Sequence, residues 1–82
     1  MEKQYTVYII RSKSIDRFYI GYTSVSMDER LSYHNYKNKG YTGKANDWKV
    51  VWVIEYESKS KAMTEEKKIK KRGASRYLTD QE

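Results

Sequence analysis

Two β-favouring runs separated by a short, mostly polar link of five residues constrain this chain most. Tyr5–Arg11 contains the uninterrupted series Val7, Tyr8, Ile9, Ile10, and Arg17–Thr23 reads Arg-Phe-Tyr-Ile-Gly-Tyr-Thr. Aromatic and β-branched residues at this density favour strands, and the Ser12–Asp16 link is short enough for a hairpin. Strands joined so closely pair antiparallel. We expect Tyr8 to stand opposite Tyr19, with Cβ atoms roughly 4.5–5.5 Å apart. Gly21, inside the second strand, weakens it and marks a bulge or a close backbone approach to something, such as a phosphate or a neighbouring ring.

The period then changes. Ser24–Tyr36 reads as a helix: Ser26 and Glu29 have capping-box spacing, and Met27, Leu31 and His34 recur at i, i+4, i+7 on one face. Arg30 and His34 are i, i+4 neighbours, able to present a cation and an imidazole to one phosphate. An exposed arginine beside a histidine at the core edge is the plainer alternative. Lys37–Trp48 reads as a loop. Its Lys37, Lys39, Lys44 and Lys49, among Tyr36, Tyr41 and Trp48, suit contact with a nucleic-acid backbone, or equally a solvated connection. Val50–Tyr56 is a third strand, so continuously apolar that both faces should be covered. A second helix runs from Ser58 or Ser60 to Arg72, rich in good helix formers, and Gly73 stops it. Ala74–Asp80 suits a short last helix. The order ββαβα, with that possible final helix, defines an α+β fold: a small three-stranded antiparallel sheet flanked by helices.

Glu66 is out of place on that second helix. It falls on the stripe of Ala62 and Ile69, which should face the core, whereas Glu65, Lys67, Lys68 and Lys71 lie elsewhere. A carboxylate there needs compensation by an arginine, backbone donors or a bound cation. One inward glutamate suffices as the protein ligand of Mg²⁺, which keeps waters and takes substrate phosphate oxygens. Pairing with a lysine at the edge of the stripe is the alternative.

Composition narrows the partners. Seventeen Lys+Arg against eleven Asp+Glu give a net charge of +6, a field that attracts polyanions. Nine tyrosines and two tryptophans offer rings on which bases stack. The 82 residues leave room for one domain over residues 1–82 and one modest core. No stretch reaches the roughly 18–20 apolar residues of a membrane span. No cysteine is present, so thiolate metal sites and cysteine nucleophiles are excluded. These absences point to the cytoplasm.

Together, Thr6-Val7-Tyr8 on one strand and Tyr19-Ile20-Gly21 on the next resemble the paired motif of the GIY-YIG endonucleases. Arg30, His34 and a glutamate on the helix after the third strand continue the match. Lys61-Ala62-Met63-Thr64-Glu65-Glu66-Lys67-Lys68-Ile69 resembles the second helix of the family's small stand-alone, UvrC-like bacterial members. The likeness spans Tyr5 to Arg72. It implies a metal-dependent phosphodiesterase acting on DNA in repair or processing of damaged or branched substrates, with RNA not excluded. By the resemblance, Glu66 would hold Mg²⁺ or Mn²⁺, and Tyr8 would activate water once Arg30 and the ion lower its pKa. Tyr19 would orient water or phosphate, Arg30 would stabilise phosphoryl charge, and His34 would hydrogen-bond Tyr8 or the phosphate. Gly21, Tyr22 and Lys70 join the lysine-rich loop as expected nucleic-acid contacts.

The chain departs from the family in three places. It lacks the leading glycine of the first motif, it has Tyr22 where some repair members place lysine, and no asparagine follows Glu66. Larger members gain specificity from added domains, a role that a protein partner could fill here. The scaffold used for binding with weak or no cleavage, and a basic protein-interaction domain, are the competing readings.

Overall fold

The computed structural model describes residues 4–36 and 41–81. Strands β1 (Tyr5–Ser12) and β2 (Arg17–Thr23) form the hairpin. A four-residue turn links them, with Asp16 in the left-handed region at φ 51°, where aspartate is tolerated better than most side chains. Helix α1 (Met27–Tyr36) follows, then a 3-10 turn at Tyr41–Lys44, strand β3 (Trp48–Tyr56), helix α2 (Lys59–Arg72) and helix α3 (Ala74–Asp80). The α+β fold with its final helix is as expected. Helix α1 starts three residues after Ser24, because Ser26 is its cap: the Glu29 N–H donates to Ser26 Oγ at 3.2 Å, satisfying one orphan donor of the first turn. Trp48 and Lys49, expected in the loop, open β3, and Asn35 fixes that start. The Trp48 N–H donates to Asn35 Oδ1 at 2.7 Å, and Asn35 Nδ2 donates to the Trp48 carbonyl at 3.2 Å.

The sheet order is β2-β1-β3, antiparallel throughout. This corrects the expectation for β3. The central strand is β1, and there Val7, Tyr8, Ile9 and Ile10 are all fully buried. β3 is an edge strand, with Val50, Val51 and Val53 about two-fifths exposed. Ile9 pairs with Trp52 and Ile10 with Val50, so Val51 is the extra residue of a bulge, which bends an edge and blunts its pairing.

Alternation along β1 serves two cores. Val7 and Ile9 face α2 and α3 and pack with Ala62, Ile69, Ala74 and Tyr77. Tyr8 and Ile10 face α1 and pack with Trp48, Met27 and Leu31. Ser58 caps α2, accepting from the Lys61 N–H at 3.4 Å. Gly73 ends it at φ 94° with its N–H on the Ile69 carbonyl at 2.8 Å, a backbone conformation that glycine adopts without strain. Arg72 and Asp80 then tie α2 to α3 through two hydrogen bonds of 2.8 and 3.1 Å.

Candidate active site

The register of the hairpin differs from expectation. Tyr8 stands opposite Gly21, and Tyr19 opposite Ile10. The slip is two residues, so each side chain keeps its face, and Tyr8 and Tyr19 still lie side by side with ring centroids 6.4 Å apart. The glycine is what admits them. A Cβ on Gly21 would stand 2.6 Å from the Tyr8 hydroxyl oxygen and 3.2 Å from the Tyr19 ring. The close approach expected at this position is that of the neighbouring tyrosine.

Helix α1 brings two more groups to the same phenol. His34 is completely buried, and its Nε2 lies 2.7 Å from the Tyr8 hydroxyl. Arg30 Nε donates to that oxygen at 3.2 Å, and its guanidinium sits 4.8 Å from the Tyr33 ring centroid, a cation–π distance. Burial, followed by the charge of Arg30, lowers the His34 pKa to about 4. The imidazole is therefore neutral at pH 7. Burial also raises the Tyr8 pKa, while the hydrogen bond and charge of Arg30 pull it the other way without prevailing. Arg30 alone does not make Tyr8 acidic. The expectation joined Arg30 with a bound ion; Arg30 by itself leaves the group a phenol near neutral pH.

Glu66 comes from the other core. Helix α2 packs against the opposite face of the sheet, yet β2 is an edge strand, and Glu66 reaches past it. Tyr8, Tyr19, Gly21, Tyr22, Arg30 and Glu66 all line one open cavity of about 630 Å³. The carboxylate is part of the Tyr8 environment, where its charge adds to the upward shift of the phenol. Its side chain is 15 % exposed and pairs with Lys70 Nζ at 3.2 Å. The expected pairing with a lysine is thus present, and the same carboxylate also faces the cavity.

Among the described residues no cluster of three His, Cys, Asp or Glu side chains could hold a metal. One carboxylate facing an open, polar cavity nevertheless fits a hard cation that retains waters and takes phosphate oxygens, and among the described residues Glu66 is the only carboxylate that lines this one.

The structure separates the remaining candidates. Lys70 reaches Glu66 but is not part of the cavity lining. Lys44, exposed in the 3-10 turn, does not line it either. Lys37 and Lys39 lie outside the described residues. Lys59, which sequence reasoning passed over, does line the cavity. Its signal was present, because Lys59 precedes Glu66 by seven residues, two turns along the same helix face.

Comparison with known proteins agrees with this architecture. Residues 4–78 match the GIY-YIG catalytic domain. The chain belongs to the GIY-YIG family, a superfamily of nucleases. It is 37% identical over 71 residues to a UPF0213 protein of Oceanobacillus iheyensis, covering 85% of this chain and 80% of that one. This similarity places it in the family's small stand-alone group. No solved structure matches the chain. No helix among the described residues is long and apolar enough to cross a membrane.

Proposed function

We propose that the cavity at the β2 edge hydrolyses phosphodiester bonds of DNA, in repair or processing of damaged or branched substrates in the cytoplasm, with Mg²⁺ or Mn²⁺ held at Glu66. The observation that supports this is convergence: two strand phenols, a guanidinium from α1 and a carboxylate from α2 share one solvent-reachable concavity. When bound, the cation supplies charge stabilisation to the phosphate and the departing oxygen.

The chain's own residues perform the proton chemistry. Arginine has no acceptor, so the Tyr8 proton points to the neutral His34 Nε2, and Arg30 Nε–H occupies one lone pair of the phenol oxygen. The other lone pair accepts the proton of an attacking water as the phenol proton passes to His34. Tyr8 therefore acts without first becoming a phenolate, which its raised pKa disfavours. The same burial and charge make the imidazolium short-lived, so the proton returns as the product forms. Tyr19, 4.9 Å from the His34 ring centroid, orients the water. Arg30 lines the cavity and stabilises charge growing on the phosphoryl oxygens. Water adds to phosphorus as the bond to the 3′-oxygen breaks and solvent protonates that oxygen, leaving a 5′-phosphate and a 3′-hydroxyl.

One observation favours binding with weak cleavage instead: Lys70 already pairs with Glu66 and competes with a cation. Incubation with branched, flapped, nicked and plain DNA, with Mg²⁺, Mn²⁺ or chelator, decides between the two. Cleavage should require the metal and disappear in Glu66→Gln. The stability of that variant should stay within about 1 kcal/mol of the parent, as the lost pair is near the surface. Arg30→Ala should lower turnover on the order of 10²-fold or more while DNA affinity changes little. Metal-dependent cleavage that survives Glu66→Gln would refute the assignment.

A further inference from the structure

Glu65 and Glu66 are neighbours in sequence but line different cavities. Glu66 faces the catalytic one, and Glu65 faces a second, of about 760 Å³, between α2, α3 and β3. Helix α2 is the wall between them, and its outer surface is almost purely cationic. Taking buried Ala62 as the reference direction, Lys67 stands roughly 140° and Lys71 roughly 180° around the helix, with Lys68 roughly 240° round towards the second cavity. All three are exposed. Lys68, Lys71, Arg72 and Arg76 line that cavity beside Tyr56 and Tyr77.

The acids nearby already have partners other than the three lysines. Glu65 accepts the Tyr77 hydroxyl at 2.9 Å, Glu66 pairs with Lys70, and Asp80 is held by Arg72. Among the described residues Lys67, Lys68 and Lys71 make no ion pair. Lys67 and Lys71 are also i, i+4 like charges, an arrangement that destabilises a helix. The helix dipole offsets this for Lys71, which lies in the last turn of α2, but Lys67 and Lys68 lie before that turn, and a bound polyanion would compensate all three.

We propose that the crest of α2, through Lys67, Lys68 and Lys71, carries the DNA backbone from the catalytic cavity over the helix to the groove lined by Arg76. A helix is about 10 Å across, which is about three nucleotides at 3.4 Å of axial rise per nucleotide. The contacted phosphates therefore lie a few nucleotides from the scissile one. This track rests on the nuclease reading for the identity of its ligand, but it is a binding surface separate from the reacting groups.

The test is fluorescence anisotropy of a labelled 20-base-pair DNA across a series of salt concentrations. It compares the parent with Lys67→Gln/Lys68→Gln/Lys71→Gln and with a control, Arg11→Gln/Lys13→Gln/Arg17→Gln, which removes equal charge at the hairpin end of the sheet. Each lost phosphate contact lowers the slope of log K against log salt by about 0.9. The crest variant should bind on the order of tenfold more weakly or worse, with a slope shallower by about 2.7, and the control should keep the parent slope. Hydrolysis of a small chromogenic phosphodiester, too short to reach the crest, should be the same in parent and crest variant. Equal losses in crest and control, or no change in the crest variant, would overturn the track. If DNA binds as expected but neither DNA nor the small diester is cleaved, the hydrolytic reading fails and the track stands.

Discussion

Replacing Gly21 by alanine adds one methyl group against the most constrained phenol in the molecule. The new Cβ would lie 2.6 Å from the Tyr8 oxygen and 2.8 Å from its ring carbon, whereas ordinary contact begins near 3.4 Å. The oxygen must withdraw by about 0.8 Å, the difference between those distances. It cannot do so cheaply, because Tyr8 is fully buried and its hydroxyl is held by His34 at 2.7 Å and Arg30 at 3.2 Å. Overpacking of this kind costs about 1–3 kcal/mol, and in a domain of this size each 1 kcal/mol lowers Tm by about 4–8 °C. A displacement near 1 Å at a reacting group lowers turnover about 10²-fold. Thermal melts by circular dichroism and cleavage at saturating DNA read the two effects separately. Adding Tyr8→Phe removes the closest contact, so the double variant should regain part of the lost Tm but none of the activity. A Gly21→Ala protein with parental Tm and parental turnover would refute both the close packing and the placement of Tyr8 in the reaction.

Two further expectations concern α1. The His34 pKa is depressed from 6.5 to about 4, so between those values the unfolded chain binds a proton that the folded chain refuses. Stability from this group is complete above pH 6.5 and falls as pH drops towards 4, by on the order of 3 kcal/mol. Urea unfolding at pH 7 and pH 4 should show this loss in the parent and not in His34→Gln, and equal losses would contradict the burial argument. Asn35→Ala removes both hydrogen bonds to the Trp48 backbone and should cost about 1–3 kcal/mol by the same unfolding measurement; a change below about 0.5 kcal/mol would show that the start of β3 is held by other means.

The elements were legible in the sequence because their periods are clean and their stops are chemical: Ser26 and Ser58 as caps, Gly73 as a terminator. Strand order was not. The apolar run of β3 is as continuous as that of β1, and hydropathy alone cannot say which strand occupies the middle. The hairpin register was off by two because alternation fixes which face a residue takes and leaves even-numbered slips undetermined. Turn geometry decided it, through a left-handed Asp16. Glu66 was visible as a polar residue on an apolar stripe, whereas Lys59 escaped notice because a lysine in a first helical turn looks like any solvated charge. The contest over the Tyr8 proton was beyond sequence altogether, since it depends on whether burial or Arg30 dominates.

The alternating side chains of β1 have a consequence for how this protein would fail. Tyr8 is rooted in one hydrophobic cluster, Glu66 sits on the helix that packs into the other, and the two clusters meet only through the sheet, whose three strands each send side chains to both. Neither half can be trimmed away to leave a working remnant, and loosening of either layer uncouples the phenol from the carboxylate. Under the proposed mechanism, cleavage would therefore report on global integrity: partial melting on either side of the sheet would silence it.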